Sequence, residues 1–258
     1  MQAEMSKMKI FVMAGTEDGR KLAEFLSERG FEVTASVVSE YGKKLLEQYK
    51  NISVNDKKLD EIELAEFLKV GNFNVLVDAS HPYAVNASKN AISACNDIKL
   101  PYVRFERATG KFEPSGAVYV DSYESAAIKA AELGKNIFLT TGSRSLKIFV
   151  ELLKGCNIIA RVLPTAEVLA QCESLGLTPK QIVAMQGPFS TEFNVAMFKQ
   201  FQAEVIVTKD SGQIGGTDTK IAAAQFLKIP AVVIDRPKIF YPNVATTFEE
   251  VITQLQKI

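Results

Sequence analysis

The chain has 258 residues, with 30 basic side chains against 30 acidic ones and 47 % hydrophobic residues. A formal net charge of zero gives no global field to recruit nucleic acid or an anionic membrane, and no apolar run approaches the ~20 residues that span a bilayer. With one histidine and three scattered cysteines (Cys95, Cys156, Cys172), neither a histidine-rich metal site nor a disulfide framework is expected; the thiols read as buried and reduced.

Met1 to Lys9 is polar and lacks the apolar stretch of a signal peptide, so a cytoplasmic location is expected. Lys9 to Met13 then reads as a buried strand, followed by the turn Ala14-Gly15-Thr16-Glu17-Asp18-Gly19-Arg20 and a helix carrying Leu22, Ala23, Phe25 and Leu26. Phe31 to Val38 is the second strand, and Gly42 to Tyr49 a helix. Ile52 to Val54 is a short strand, and Ile62 to Leu68 a helix ending at Gly71. Val75 to Ala79, Val85 to Cys95 and Pro101 to Phe105 continue as strand, helix and strand. Residues 108–116, rich in glycine and proline, form the best linker candidate. Beyond them strands are expected at Val118 to Val120, Ile137 to Thr140, Ile158 to Arg161, Ile182 to Met185, Val205 to Thr208 and Ala231 to Ile234. Helices fit between them, and a last one over Phe248 to Lys257. This alternation predicts an α/β protein of two Rossmann-like, doubly wound parallel-sheet domains, 1–112 and 113–258, with a ligand cleft between them.

The polar residues concentrate where these strands end. The turn at 14–20 stands where a dinucleotide pyrophosphate would meet a helix N-terminus, although Ala14 replaces the first glycine of the usual fingerprint. Thr16 offers a hydroxyl and Arg20 a phosphate-compatible fork. After strand two, Glu40 could take a ribose hydroxyl, whereas Ser36 and Ser39 could tolerate a 2′-phosphate. Ser80-His81-Pro82 reads as a helix start, with Ser80 as cap and Pro82 at the first helical position; His81 is either a hydrogen-bonded strand-end residue or part of a ligand wall. Four of the seven arginines (Arg104, Arg107, Arg144, Arg161) sit at or just beyond strand ends, suited to a polyanion or to local ion pairs. Ser190 reads as an N-cap, and Phe189 either stacks on a flat ligand or staples the helix. The segment Val205 to Lys220 combines Gly212, Gly215 and Gly216 with Lys209, Asp210 and Lys220, a charged glycine loop at a strand's carboxyl end.

In order along the chain, G-T-E-D-G-R at 15–20, D-A-S-H-P-Y-A at 78–84, R-F-E-R at 104–107, T-T-G at 140–142 and R-V-L-P at 161–164 carry a resemblance. So do Q-G-P-F-S-T-E at 186–192, T-K-D-S-G-Q-I-G-G-T-D-T-K at 208–220 and I-P-A-V-V-I-D-R-P at 229–237. They resemble the precorrin-6A reductase family of cobalamin biosynthesis over essentially the whole length. The resemblance implies hydride transfer from NADPH or NADH to a ring carbon of a tetrapyrrole, metal-free or cobalt-containing. It implies cofactor binding by Gly15, Thr16, Glu17, Asp18, Arg20, Ser39, Ser80, His81, Thr141 and Gly142. The carboxylate-flanged substrate would meet Arg104, Arg107, Arg161, Gln186, Gly187, Phe189 and Ser190, together with Lys209, Ser211, Gly212, Gly216 and Lys220. Asp210, Lys209, His81 and Tyr83 are the candidate proton donors, and no metal ligand is implied. A tetrapyrrole partner is expected, without nucleic acid or membrane, for a monomer or small homo-oligomer. Two rivals are a cofactor-free tetrapyrrole enzyme of the uroporphyrinogen-synthase type and a non-catalytic NAD(P)-sensing module.

Overall fold

The computed structural model describes residues 8–49, 51–107, 117–212 and 215–258. The chain divides into two compact units, Met1–Ala108 with Lys238–Ile258, and Thr109–Pro237. The linker candidate at 108–116 lies outside the described residues. The C-terminal boundary differs from the expected domain 113–258, because the last segment returns to the first unit.

The first unit runs β1 (Lys9–Met13), α1 (Glu17–Glu28), β2 (Glu32–Ser36), α2 (Glu40–Leu46), β3 (Ile52–Asn55), α3 (Glu61–Val70), β4 (Val75–Asp78), α4 (Val85–Asp97) and β5 (Tyr102–Phe105). After the second unit it is completed by β12 (Val244–Ala245) and α10 (Phe248–Leu255). All strand pairings are parallel, and the order is β12-β5-β4-β1-β2-β3. Ile10 therefore lies between Val33 and Val75. Strands covered on both faces explain the near-continuous apolar runs. Helix α1 turns Leu22, Ala23 and Leu26 inward, each leucine contributing roughly 2 kcal/mol by burial. On α10, Val251 and Leu255 join the same core, which anchors the C-terminal segment here.

The second unit runs β6 (Ala117–Val120), α5 (Tyr123–Leu133), β7 (Asn136–Leu139), α6 (Leu146–Leu152), β8 (Asn157–Val162), α7 (Ala166–Ser174) and a 3-10 turn (Pro179–Gln181). It continues through β9 (Ile182–Ala184), α8 (Thr191–Gln200), β10 (Val205–Lys209), α9 (Thr217–Leu227) and β11 (Ala231–Ile234). Its sheet is again parallel, in the order β6-β11-β10-β7-β8-β9. Both sheets follow the doubly wound order 3-2-1-4-5-6. The sixth place is exchanged, however: the strand after β5 pairs in the second sheet, and β12 fills the place beside β5.

Two local expectations fail. Pro82 does not begin a helix: residues 81–84 form a turn closed by the Ala84 N–H donating to the His81 carbonyl, and α4 starts at Val85 without a side-chain cap. Ser80 is instead drawn inward to Asp78 and Arg104. The three cysteines are free; Cys95 and Cys172 are buried, while Cys156 is only partly so. Among the described residues no helix is long and apolar enough to cross a membrane.

Candidate functional site

In the first unit the turn after β1 meets the end of β4, the two strands at which the strand order reverses and where open α/β sheets bind ligands. Thr16 caps α1 by accepting the Gly19 N–H at 2.9 Å, and donates its own hydroxyl to the Ala79 carbonyl at 2.9 Å. Gly19 is required by packing: a Cβ there would stand 2.9 Å from Ala14 Cα and 3.0 Å from the Ala79 oxygen. Gly15 differs, since a Cβ there would meet nothing within 4 Å. An exposed glycine over open space, beside a close helix–strand crossing, fits the approach of a dinucleotide phosphate. The two acids of the first helical turn are neutralised locally: Lys21 lies 2.6 Å from Glu17 and holds its carboxyl below the usual range, and Arg107 lies 2.7 Å from Asp18. Burial nevertheless pushes the Asp18 carboxyl up. Ser39, three residues beyond β2, caps α2 by accepting the Gly42 N–H. It borders a surface hollow of about 470 Å³ shared with Glu40, Lys43, Lys44 and Asp56.

His81 follows β4, its Nδ1 accepting the Tyr83 N–H at 3.2 Å, with the two rings 5.5 Å apart. Arg104 is 0 % exposed. It donates to Asp78 Oδ1 at 3.0 Å and to Glu106 Oε2 at 2.9–3.0 Å, and lies over the Tyr241 ring. Asp78 also accepts from the Ser80 amide, the Ser88 hydroxyl and the Tyr102 hydroxyl. Burial alone would raise the Asp78 carboxyl, but Arg104 and these donors hold it below its usual range. Of the two readings of Arg104 the local ion pair is the one seen: it is enclosed by carboxylates, Ser80 is tied to the same network, and both frame the turn. Arg107 remains half-exposed.

The second unit gathers cations at and just beyond its strand ends. Arg161, on β8 and 7 % exposed, donates to Asn194 Oδ1 at 2.7 Å and lies 4.8 Å from the Phe189 ring centroid. Among the described residues no carboxylate pairs with it, and burial lowers its pKa to about 10. Lys220, in the first turn of α9 and 9 % exposed, donates to the Gly215 carbonyl at 2.7 Å. Burial, then repulsion from Arg161 and Lys209, brings it down to about 7. Lys209, at the end of β10, is brought to about 8 by burial and by Arg144. Beside it Asp210 accepts the Gly212 N–H and lies 3.8 Å from Arg236. Ser211 and Thr217 close the loop through the Ser211 N–H and the Lys209 carbonyl, and Gly216 adopts a positive φ of 63° to start α9.

Ser190 caps α8, as expected, by accepting the Phe193 N–H. Phe189 stacks on Phe193 at 5.1 Å, leaving Gln186 and Gly187 exposed before it. The residue sequence reasoning missed is Asn194. It is fully buried, and joins Arg161 to the Ser190 carbonyl and to Thr219, which itself donates to the Phe189 carbonyl. An asparagine in a helix interior is a poor helix former, and that was the available signal. Thus the segments 161–164, 186–192 and 208–220 converge, while Thr141 and Gly142 lie on the neighbouring turn after β7.

A family model described as CbiJ, precorrin-6x reductase CbiJ/CobK, matches residues 9–256. The chain is 41 % identical over 249 residues to the cobalt-precorrin-6A reductase of Priestia megaterium, covering 95 % of this chain and 97 % of that one. It is 38 % identical to the cobalt-precorrin-6A reductase of Methanocaldococcus jannaschii, over 97 % and 99 % of the two chains. A solved CobK precorrin-6A reductase superposes with a TM-score of 0.78 at 23 % identity, covering 97 % and 96 %, and so shares the fold.

Proposed function

The chain belongs to the precorrin-6x reductase family, and from that membership we propose that it reduces cobalt-precorrin-6A with hydride from NADPH or NADH. It is an oxidoreductase of cobalamin biosynthesis. The cobalt form of the substrate is preferred because the relatives from P. megaterium and M. jannaschii, at 41 % and 38 % identity, are both cobalt-precorrin-6A reductases.

The observation that carries the reading is the contrast of the two strand-end sites. One is an open glycine turn with neutralised acids, suited to a dinucleotide; the other is a group of buried cations, suited to the carboxylates of a tetrapyrrole. When bound, the nicotinamide supplies the hydride. Gly15 would admit the phosphates, Arg20 would add a fork, and Ser39 would tolerate a 2′-phosphate, with His81 along the wall. Arg161 and Lys220 anchor substrate carboxylates, and Gln186, Gly187, Phe189, Ser190, Ser211, Gly212 and Gly216 shape the wall around them. Lys209, brought to about 8, can hold or deliver a proton near neutral pH. Asp210, Tyr83 and His81 are the alternative donors.

Titration with NADPH and NADH, each with and without precorrin-6A or its cobalt complex, tests this through nicotinamide absorbance. Substrate-dependent oxidation is expected and ranks both cofactors and both substrates. Nicotinamide binding without oxidation would leave a sensor, and no nicotinamide affinity would leave a cofactor-free tetrapyrrole enzyme.

A further inference from the structure

The turns after β1 and after β4 meet at the Ala79 carbonyl. That oxygen accepts the Thr16 hydroxyl at 2.9 Å, and Thr16 in turn caps α1. The start of α1 therefore stands where Ala79 puts it. Ala79 is itself held from both sides. Arg104 Nη1 lies 3.0 Å from Asp78 Oδ1, 3.4 Å from the Asp78 carbonyl and 3.3 Å from the Ser80 hydroxyl. Asp78 Oδ1 also accepts the Ser80 N–H at 2.9 Å. One buried guanidinium thus brackets the residue on which the first turn hangs.

What orients Arg104 comes from elsewhere in the chain. A guanidinium is planar, so carboxylates fix it within its plane, while an aromatic ring on its face restrains it from tilting. Glu106 takes the second edge of Arg104, and the Tyr241 ring covers a face, its centroid 4.9 Å from the guanidinium carbon. Tyr241 belongs to the segment that returns from the second unit. That segment is stitched to β5: the Asn243 carbonyl accepts the Arg104 N–H at 2.8 Å, and the Asn243 side-chain amide donates to the Tyr102 carbonyl at 3.0 Å. The Tyr241 ring also packs against the core that contains Phe11, Leu76, Ala91 and Tyr102.

We propose that Tyr241 is a positioning residue for the cofactor turn: by holding the face of Arg104 it fixes the Ala79 carbonyl and, through Thr16, the start of α1. The inference rests on the reductase reading, since it takes the turn at 14–20 as the dinucleotide site. Arg104 transmits the position and does not touch the ligand, as its complete burial requires. The cofactor turn of the first unit is then complete only with residues that follow the second unit. A purely structural Tyr241 would fill space beside α4, and an apolar chain could do the same. Positioning needs the π face, which leucine lacks and phenylalanine keeps.

The test compares Tyr241→Leu and Tyr241→Phe with the parent, well below their melting temperatures, by separate dissociation constants for NADPH, NADH and the tetrapyrrole. Should Tyr241→Leu not accumulate as folded protein, Tyr241→Met takes its place. For the leucine variant the nicotinamide constant should rise about fivefold or more, the lower end of coupling between linked sites. The tetrapyrrole constant should stay put, and Tyr241→Phe should restore the parent value. A leucine variant that melts lower yet binds nicotinamide as before would make the ring a space-filler and overturn the proposal. An equal rise in both constants would show general loosening and overturn it too. Combining Tyr241→Leu with Thr16→Val checks the route: if the effect passes through the Thr16 bond, the double variant binds nicotinamide little worse than Thr16→Val alone. Effects that multiply in full would overturn that route. Failure of the reductase reading is separate, because it shows in the parent protein as absent nicotinamide affinity or absent substrate-dependent oxidation.

Discussion

Arg104 in the first unit and Arg161 in the second each occupy the next-to-last position of a strand, in sheets of the same strand order, and both are almost wholly buried. Arg104 faces two carboxylates, Asp78 and Glu106, and despite the burial that opposes it, its pKa is raised. Arg161 faces an amide oxygen, a thioether and an aromatic ring, and its pKa falls to about 10 through burial. The fold therefore does not decide what a strand-end cation does; its counter-charges do. The first unit supplies them from within, completing a frame. The second does not supply them to Arg161 and adds the depressed Lys209 and Lys220, a polarity that an anionic ligand would complete.

The sharpest way to break this contrast is to remove the internal cation. Arg104→Met leaves the fully buried Asp78 carboxylate without its guanidinium. Loss of one partner from a buried pair costs about 3–5 kcal/mol. Denaturant or thermal unfolding of the free protein should show that loss at neutral pH, and the gap to the parent should narrow in acid. Asp78 is held below the ordinary carboxylate range, so its contribution is present above that range and disappears as the pH drops through the folded value. Unchanged stability would mean that the network is incidental.

The second unit should respond with the opposite sign. Lys220→Met replaces a buried, repelled ammonium with an apolar chain of similar length, and such replacements stabilise by about 2 kcal/mol. The variant should melt higher than the parent and bind the tetrapyrrole more weakly. A variant that melts lower would show that Lys220 is held by its surroundings rather than by a ligand, and the comparison would collapse.

The strand and helix sequence was legible because apolar runs and glycine punctuation are local signals; β1, β11 and α10 match their expected cores closely. The exchange of β6 and β12 was not legible, since pairing partners far apart in the chain leave no local mark, and β12 has only two residues. The role of Arg104 stayed open between ion pair and anion contact for the same reason: its counter-ion Asp78 lies 26 positions away. The cations of the second half were visible as strand-end charges. What the sequence could not display was the lack of a facing carboxylate at Arg161, which is a property of three-dimensional neighbours.

Protons give a milder test of that lack. Burial brings Lys220 to about 7 and Lys209 to about 8 in the fold, against about 10.4 for a lysine in an unfolded chain. Between those limits the unfolded chain binds more protons than the folded one, so stability of the free protein should climb from pH 7 toward about 10. An anion bound beside these lysines favours their charged forms. Its affinity should therefore be highest below pH 7 and decline as the pH passes 8, while nicotinamide affinity stays comparatively flat. Parallel pH profiles for both ligands would contradict separate sites.

The smallest change sharpens the comparison within the first unit. Gly19 and Gly15 are four residues apart, yet only Gly19 is crowded by backbone atoms. Gly19→Ala must displace the Ala14 or Ala79 backbone and so serves as the destabilised control. Gly15→Ala meets open space, and its φ is not among the positive values, so stability should stay within about 0.5 kcal/mol of the parent. If the phosphates of the cofactor approach at this point, the added methyl occupies their path. The nicotinamide dissociation constant then rises with the tetrapyrrole constant and the melting temperature unmoved. Should nicotinamide bind as before, the phosphates do not pass over Gly15, and the open glycine would be a feature of the turn alone.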